Sequence, residues 1–222
     1  MKASIRRSAQ AGAFLLIFSL PLSSADLTGT VTNQTTGKPS AGDDVVLLKL
    51  VQSMEEVGRA KTDSQGRFTL RLADESAPHL VRVNHRNVNY FRAAPPGTTS
   101  VEVNVFDAAE NVEGIKQTVD IMRIEADATN LRVVQLFALT NESKPPRTLM
   151  SMKSFEMVLP EGAKLEQSLA AGPGGMPVTT APVPTGEKDR YAFLFPIRPG
   201  ETRFQVAYSL PYNGSAKITP VL

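Results

Sequence analysis

Polar and hydrophobic residues alternate along most of the chain with a period of two, which is the period of a half-buried β-strand. The alternation is clearest at Phe204, Val206, Tyr208 and Leu210, because polar or small residues separate them. The helical period of 3.6 residues is rare by comparison. The pattern therefore predicts an all-β protein.

Strand-like segments recur at short intervals, and glycine, proline and small polar residues separate them. In the first half of the chain, these segments are residues 27–31, 45–50, 57–62, 68–72, 81–83 and 101–105. In the second half, they are residues 116–125, 131–140, 155–159, 191–197, 202–210 and 217–221. Segments of this length and spacing favour β-sandwiches. Pro199 and Gly200 lie between two of the segments and predict a tight hairpin connection.

Two breaks in the pattern suggest where the chain divides. Residues 93–99 are rich in proline and glycine, and residues 107–114 form a second polar interval. We predict two β-sandwich domains, a small one at residues 26–106 and another at residues 107–222. Within the second, residues 170–188 are rich in glycine and proline, so we expect a long loop there without strands.

The first residues have the pattern of a secretory signal peptide. The basic residues Lys2, Arg6 and Arg7 precede an apolar run at residues 11–22, and small residues follow the run. We therefore expect a signal peptide at residues 1–25 and export to the periplasm or the cell exterior. The apolar run is shorter than the ~20 residues that a spanning helix needs, and we expect no membrane span in the mature chain.

The balance of charges argues against nucleic acid as a partner. The chain has 24 lysine and arginine residues against 22 acidic ones, and the leader contains three of the basic residues. The mature chain is then nearly neutral and has no excess of basic residues to attract phosphate groups. The chain also lacks cysteine, which excludes disulfides, cysteine-ligated zinc and thiol catalysis. We expect no cofactor.

The first predicted domain contains a recognisable motif, Thr-Asp-Ser-Gln-Gly-Arg-Phe, at residues 62–68. With the strand at 27–31 and the Thr-Gly-Lys-Pro turn at 36–39, it resembles the carboxypeptidase regulatory-like domain, a transthyretin-like β-sandwich of many secreted and envelope proteins. The resemblance covers about residues 26 to 93 and implies a fold without implying an activity.

The motif also has a mechanical interpretation. We expect Asp63 to accept hydrogen bonds from nearby backbone amides and Gly66 to supply a positive φ. Phe68 then begins the next strand and points inward. We expect these three residues to form the structural turn of a hairpin.

The chemistry-bearing residues do not form a catalytic or metal-binding pattern. A carboxypeptidase zinc site needs a histidine with a glutamate three positions later, but Arg82 follows His79 and Val88 follows His85 at that spacing. We expect both histidines to lie at the surface and to bind no metal. Adjacent carboxylates such as Asp43 and Asp44 are expected to be solvated turn residues. We predict no catalytic residues and no enzymatic activity.

Two functions fit these observations. The first is a non-enzymatic exported envelope protein that acts as a structural or protein-binding module, with sheet edges available for strand addition. The alternative is a carbohydrate-binding module, because starch-binding sandwiches share the architecture that the resemblance implies. Tryptophan is absent, so the candidate aromatic residues for that role are Tyr90, Phe91 and Tyr212, with core packing as the alternative for the first two. The partner is accordingly an envelope protein or a polysaccharide, and the oligomeric state stays open.

Overall fold

The computed structural model describes residues 25–215, and the regular elements in this part of the chain are all strands. They are β1 (Ala25–Asn33), β2 (Lys38–Pro39), β3 (Asp44–Leu50), β4 (Met54–Lys61), β5 (Arg67–Leu72), β6 (His79–His85), β7 (Val88–Ala94), β8 (Ser100–Val105), β9 (Ala108–Ala109), β10 (Ile115–Ala126), β11 (Asn130–Asn141), β12 (Thr148–Leu149), β13 (Phe155–Val158), β14 (Lys164–Ala171), β15 (Val178–Thr179), β16 (Val183–Pro184), β17 (Arg190–Phe193) and β18 (Gly200–Pro211). The predicted all-β sandwich class is confirmed. The predicted signal peptide at residues 1–25, apart from Ala25, and the predicted strand at 217–221 lie outside the described residues.

The first sandwich contains β1 to β8 in two sheets. In one sheet, β1 pairs antiparallel with β2 and β5 and parallel with β8. The other sheet is antiparallel and has the order β4-β3-β6-β7. Because side chains alternate across a strand, Phe68, Leu70 and Leu72 of β5 all point into the core.

The second sandwich contains a five-stranded sheet and a three-stranded sheet. The larger sheet has the order β10-β11-β18-β14-β15, and the smaller one has the order β13-β17-β16. The alternating residues of β18 that the sequence analysis singled out, Phe204 to Leu210, pack into the core between the sheets. Phe193 of β17 reaches the same core from the opposite sheet.

Two connections in the second sandwich differ from the predictions. Pro199 and Gly200 do not close a hairpin, because β17 and β18 belong to different sheets and the segment crosses between the layers. The predicted loop at 170–188 also contains β15 and β16, which pair with β14 and β17. Each of these strands has only two residues, so the glycine and proline around them still prevent a longer strand.

A set of polar contacts joins the two sandwiches. The Tyr90 hydroxyl lies 2.8 Å from Thr148 Oγ1, and the short strands β9 and β12 pair beside it. Thr35 Oγ1 donates to the Pro146 carbonyl oxygen at 2.6 Å. Arg198 donates to the Asn89 carbonyl oxygen. The division of the chain into domains at residue 107 stays a prediction.

Gly29→Ala should destabilise the first sandwich more than Gly58→Ala does. A Cβ at position 29 would lie 2.2 Å from Cζ of Phe68, the buried residue opposite it on β5. Because the ring must move within a packed core, we expect a loss of about 1–3 kcal/mol. At position 58, the nearest atom to the new Cβ is Leu47 Cβ at 3.6 Å, which is an ordinary contact. Denaturant unfolding of both variants measures the difference, and equal losses would contradict it.

Candidate functional site

The predicted turn residues lie between β4 and β5. Asp63 Oδ1 accepts hydrogen bonds from the backbone N–H groups of Gln65 and Arg67, each at 2.8 Å, and Gly66 has a φ of 71°. The bond from the Arg67 amide lowers the pKa of Asp63 below its ordinary value. The expected hairpin is wrong, however, because β4 and β5 belong to different sheets and the turn carries the chain from one layer to the other.

The three candidate aromatic residues do not form one surface. Tyr90 is 5% exposed and packs in the first core, where its hydroxyl donates to the Phe106 carbonyl oxygen at 2.9 Å. Phe91, the next residue on β7, points the other way and is 53% exposed. Tyr212 is half-buried against the core of the second sandwich. The structure therefore separates all three, and a binding role for Phe91 and Tyr212 stays a prediction.

The expectation of surface histidines is wrong. His79 and His85 are 4% and 6% exposed, and they share the inward face of β6 with Val81 and Val83. Asp43, which the sequence analysis places in a solvated turn, is also buried. The reason is the alternation itself, because every second residue from 79 to 85 points toward the opposite sheet.

His85 bridges two carboxylates at one end of the first sandwich. Its Nδ1 lies 2.8 Å from Asp43 Oδ1, and its Nε2 lies 3.1 Å from Asp107 Oδ1. The hydrogen bond with Asp43 raises the pKa of His85, and the bond with Asp107 adds to the effect. Asn33 Nδ2 also donates to Asp107 Oδ1 at 2.9 Å. When both ring nitrogens donate, the ring is an imidazolium held between two anions.

The geometry of the buried cluster around His85 fits a structural role. Ser40 Oγ lies 3.2 Å from Nδ1 of His85, farther than the Asp43 oxygen that faces the same nitrogen. Both nitrogens of the ring are therefore engaged, and neither is directed toward solvent. Among residues 25–215, no group of three or more His, Asp or Glu side chains has a metal-binding arrangement.

The most exposed long strand of the second sandwich is β10, at the edge of the five-stranded sheet. On one side it pairs with β11 along its whole length, and no strand in the described part of the chain pairs with its other side. Most of its side chains are exposed, including Ile121 at 59% and Ile124 at 48%. The other outer strands of this sandwich have two to four residues, whereas β10 has twelve.

The exposure of β10 follows from the difference between the two layers. A five-stranded sheet faces a sheet of three short strands, so the β10 edge extends beyond the opposite layer. Its outer backbone N–H and C=O groups have no strand partner among the described residues. An edge of this kind is a template for an added strand. The sequence pattern predicts this strand but contains no signal that marks it as an open edge.

A bulge and charged side chains give β10 a defined surface. The register with β11 shifts between Gln117 and Val119. The eight residues from Val119 to Ala126 then pair with β11 regularly. Ile121, Arg123 and Glu125 face outward from the sandwich, because they lie opposite Leu136, Val134 and Arg132 of β11. Arg123 also forms an ion pair with Glu125. The outward face of this edge therefore combines one exposed isoleucine with a charged pair.

A separate surface depression of about 640 Å³ lies on the first sandwich. Its lining comes mainly from β1, β5 and β8 and includes Thr28, Thr30, Thr69, Arg67 and Glu102. The aromatic ring in this lining belongs to Phe68, which is buried. The depression thus has walls of mixed polarity without an exposed aromatic face.

Comparisons with known proteins find solved structures that resemble this chain only at low sequence identity and low TM-score. No family model and no curated protein matches the chain. A DUF3823-family protein from Parabacteroides merdae is 12% identical, with 86% of this chain and 82% of that chain covered and a TM-score of 0.31. BcpA, the major pilin subunit of Bacillus cereus, is 12% identical, with 87% and 60% covered and a TM-score of 0.30.

A 9R-lipoxygenase from Cyanothece is also similar, at 15% identity and a TM-score of 0.30. The match covers 45% of this chain and 18% of the lipoxygenase, so this chain spans only a small part of that protein. Values this low transfer no function. The strands and their sheet topology place the chain in the class of all-β sandwich proteins. Within residues 25–215, no helix has the length and apolar character needed to cross a membrane.

Proposed function

We propose that the protein is an exported, non-enzymatic module of the cell envelope that binds another protein chain by adding a strand to β10. The observation that carries this proposal is the open edge at Ile115–Ala126. An added strand gains main-chain hydrogen bonds along the edge, and side chains on alternate positions give it specificity. The exposed Ile121 and the charged pair beside it are the side chains that would contact the added strand.

Two features of the sequence support export and the envelope location. The first is the leader at residues 1–25, with its basic start, short apolar run and small residues. The second is the resemblance of residues 26–93 to the carboxypeptidase regulatory-like domain, which we include in the proposal. Periplasm and cell exterior both fit a chain without cysteine that gains its stability from two β-sheet cores.

The absence of enzymatic activity is part of the same proposal. The two histidines are buried, and both ring nitrogens of His85 face carboxylates in place of a substrate. The carbohydrate alternative has less support, because Tyr90 is buried in the core and does not share a surface with Phe91. Sugar binding commonly uses an exposed aromatic face, and the described surface depression has none.

A photo-crosslinking amino acid at position 121 should capture a protein in the intact envelope, whereas the same group at position 91 should not. The two positions are a matched pair, because the native side chains are 59% and 53% exposed and each lies on a strand. The measurement is the yield of adducts after irradiation, separated by gel and identified by mass spectrometry. Equal adduct yields at both positions, or none at position 121, would contradict binding at β10. A glycan adduct at position 91 would support the carbohydrate alternative.

A further inference from the structure

We propose that the strand added to β10 is β10 of a second copy of this chain, so that two second sandwiches share one continuous sheet. This inference rests on the proposed function, because it names the occupant of the same edge. The two strands run antiparallel and are related by a twofold axis perpendicular to the sheet, as an isologous contact requires. The stability of such a contact depends on which side chains of β10 lie opposite each other.

The pairing of β10 with β11 defines the two faces of β10. Met122 lies opposite Gln135 and Ile124 lies opposite Val133, both of which are buried, so Met122 and Ile124 are on the inward face. The alternating positions 121, 123 and 125 are therefore on the outward face. The shift between Gln117 and Val119 leaves Thr118 unpaired and places Lys116 on the outward face as well, opposite Thr140.

A twofold axis at Ile121 produces a complementary register. Ile121 then lies opposite Ile121 of the second copy, and Val119 lies opposite Arg123. Beyond the bulge at Thr118, the same register brings Lys116 opposite Glu125 on the same outward face. Symmetry repeats this opposite-charge pair, so the contact contains two of them around a central pair of isoleucines.

Two nearby registers are less favourable. Moving the axis to position 120 places Asp120 opposite Asp120, and moving it to position 123 places Arg123 opposite Arg123. Like charges directly opposite each other destabilise strand pairing. The strand also contains two basic residues, Lys116 and Arg123, and two acidic ones, Asp120 and Glu125, so two copies carry no net repulsion at this edge. This internal balance is the reason to assign the edge to a second copy.

A charge exchange across the contact tests the proposal. Sedimentation velocity of the purified protein over a range of concentrations should show a reversible dimer. Lys116→Glu and Glu125→Lys should each raise the dimer dissociation constant by about tenfold, because each creates two like-charge pairs per dimer. The double variant Lys116→Glu/Glu125→Lys should restore dimerisation, since it exchanges the charges and keeps them opposite. Lys164→Glu, at an exposed position on β14 of the same sheet, should leave the equilibrium unchanged.

Circular dichroism and thermal unfolding of each variant confirm that the fold is retained. A monomer at every concentration, or a dimer that single charge reversals do not weaken, would overturn the proposal. A double variant that fails to recover dimerisation while it stays folded would overturn the register. If the protein is monomeric but position 121 still captures a different protein in the envelope, this inference fails while the proposed function stands. If position 121 captures nothing and the protein is monomeric, both fail.

Discussion

His85→Ala should destabilise the first sandwich by about 3 kcal/mol, because it leaves two buried carboxylates without the cation between them. Asp43 and Asp107 are both buried, and each lies within 3.1 Å of a His85 ring nitrogen. The Oδ2 atom of Asp43 is also buried and has no hydrogen-bond partner among the described residues. Removing the imidazole therefore takes away the main compensation for the Asp43 charge. Urea unfolding at pH 6 measures the loss.

His79→Ala is the matched control for this substitution. His79 lies on the same strand and is as deeply buried, but the described residues provide no carboxylate within ion-pair distance of it. We expect a smaller loss of stability, because only packing is removed. Equal losses for the two variants would show that the contacts of His85 with Asp43 and Asp107 contribute little.

The same contacts determine how stability changes with pH. The bond with Asp43, helped by Asp107, holds the pKa of His85 above its ordinary value near 6.5. A raised pKa in the folded state means that this stabilisation is complete below pH ~6.5 and is lost as the pH rises through the folded value. We therefore expect the free energy of unfolding to fall over the pH interval from about 6.5 up through the raised pKa of His85, and His85→Ala to remove this decline. A flat wild-type profile across this interval would contradict the charged bridge.

Asp107 acts in the opposite direction at low pH. Burial alone raises its pKa, but hydrogen bonds from His85 and Asn33 and the charge of Arg86 outweigh that effect, so the pKa lies below 3.8. Its stabilisation is therefore present above the ordinary value and is lost as the pH falls through the lower, folded value. The cluster should be most stabilising in weakly acidic solution, between the titration of Asp107 and that of the His85 imidazole.

Local alternation was sufficient to predict the strands with strong patterns. The segments 45–50, 68–72, 131–140 and 202–210 all correspond to observed strands, with ends that differ by one or two residues. These strands bury one face or both faces. Their apolar residues therefore follow a regular pattern that marks the strands in the sequence. The strands β7 and β14 were missed, because their buried residues are interrupted by polar or small ones.

The same alternation does not show which sheet each strand joins. Both the turn at Asp63–Gly66 and the segment at Pro199–Gly200 were expected to close hairpins, yet each joins two different sheets. Turn residues determine how the chain reverses, whereas the sheet that a strand joins depends on partners that are distant in sequence. The β5 and β18 strands pair with β1 and β11, which local rules do not identify.

The buried histidine cluster had a sequence signal, and the open edge did not. His79 and His85 have the same parity as Val81 and Val83, so the inward direction of their side chains followed from alternation. The partners of His85 come from positions 43 and 107, which only the fold brings together. The exposure of β10 depends on the small extent of the opposite sheet, which is a property of the whole sandwich.

Phe204→Ala should have the largest effect on the second sandwich, with a loss of about 4 kcal/mol. The Phe204 ring is fully buried, and its centroid lies 4.8 Å from the centroids of both Phe155 and Phe193. Phe195 lies edge-on at 5.9 Å. Removing the ring leaves a cavity among three aromatic side chains, two of which, Phe155 and Phe193, are anchored on strands of the opposite sheet, so the surrounding core cannot close it completely. Urea unfolding followed by circular dichroism measures the loss.

Phe91→Ala is the control, because the Phe91 ring is largely exposed and its removal creates no cavity. We expect the effect of Phe91→Ala on stability to stay within about 0.5 kcal/mol.

Phe204 also lies on β18, which pairs with both β11 and β14, so loss of the Phe204 ring weakens the sheet that positions β10. The Phe204→Ala variant should therefore lose capture at position 121 at temperatures where the first sandwich is still folded. If the cluster around His85 unfolds in the same transition as the second sandwich, the two cores are not independently stable, and this expectation is contradicted.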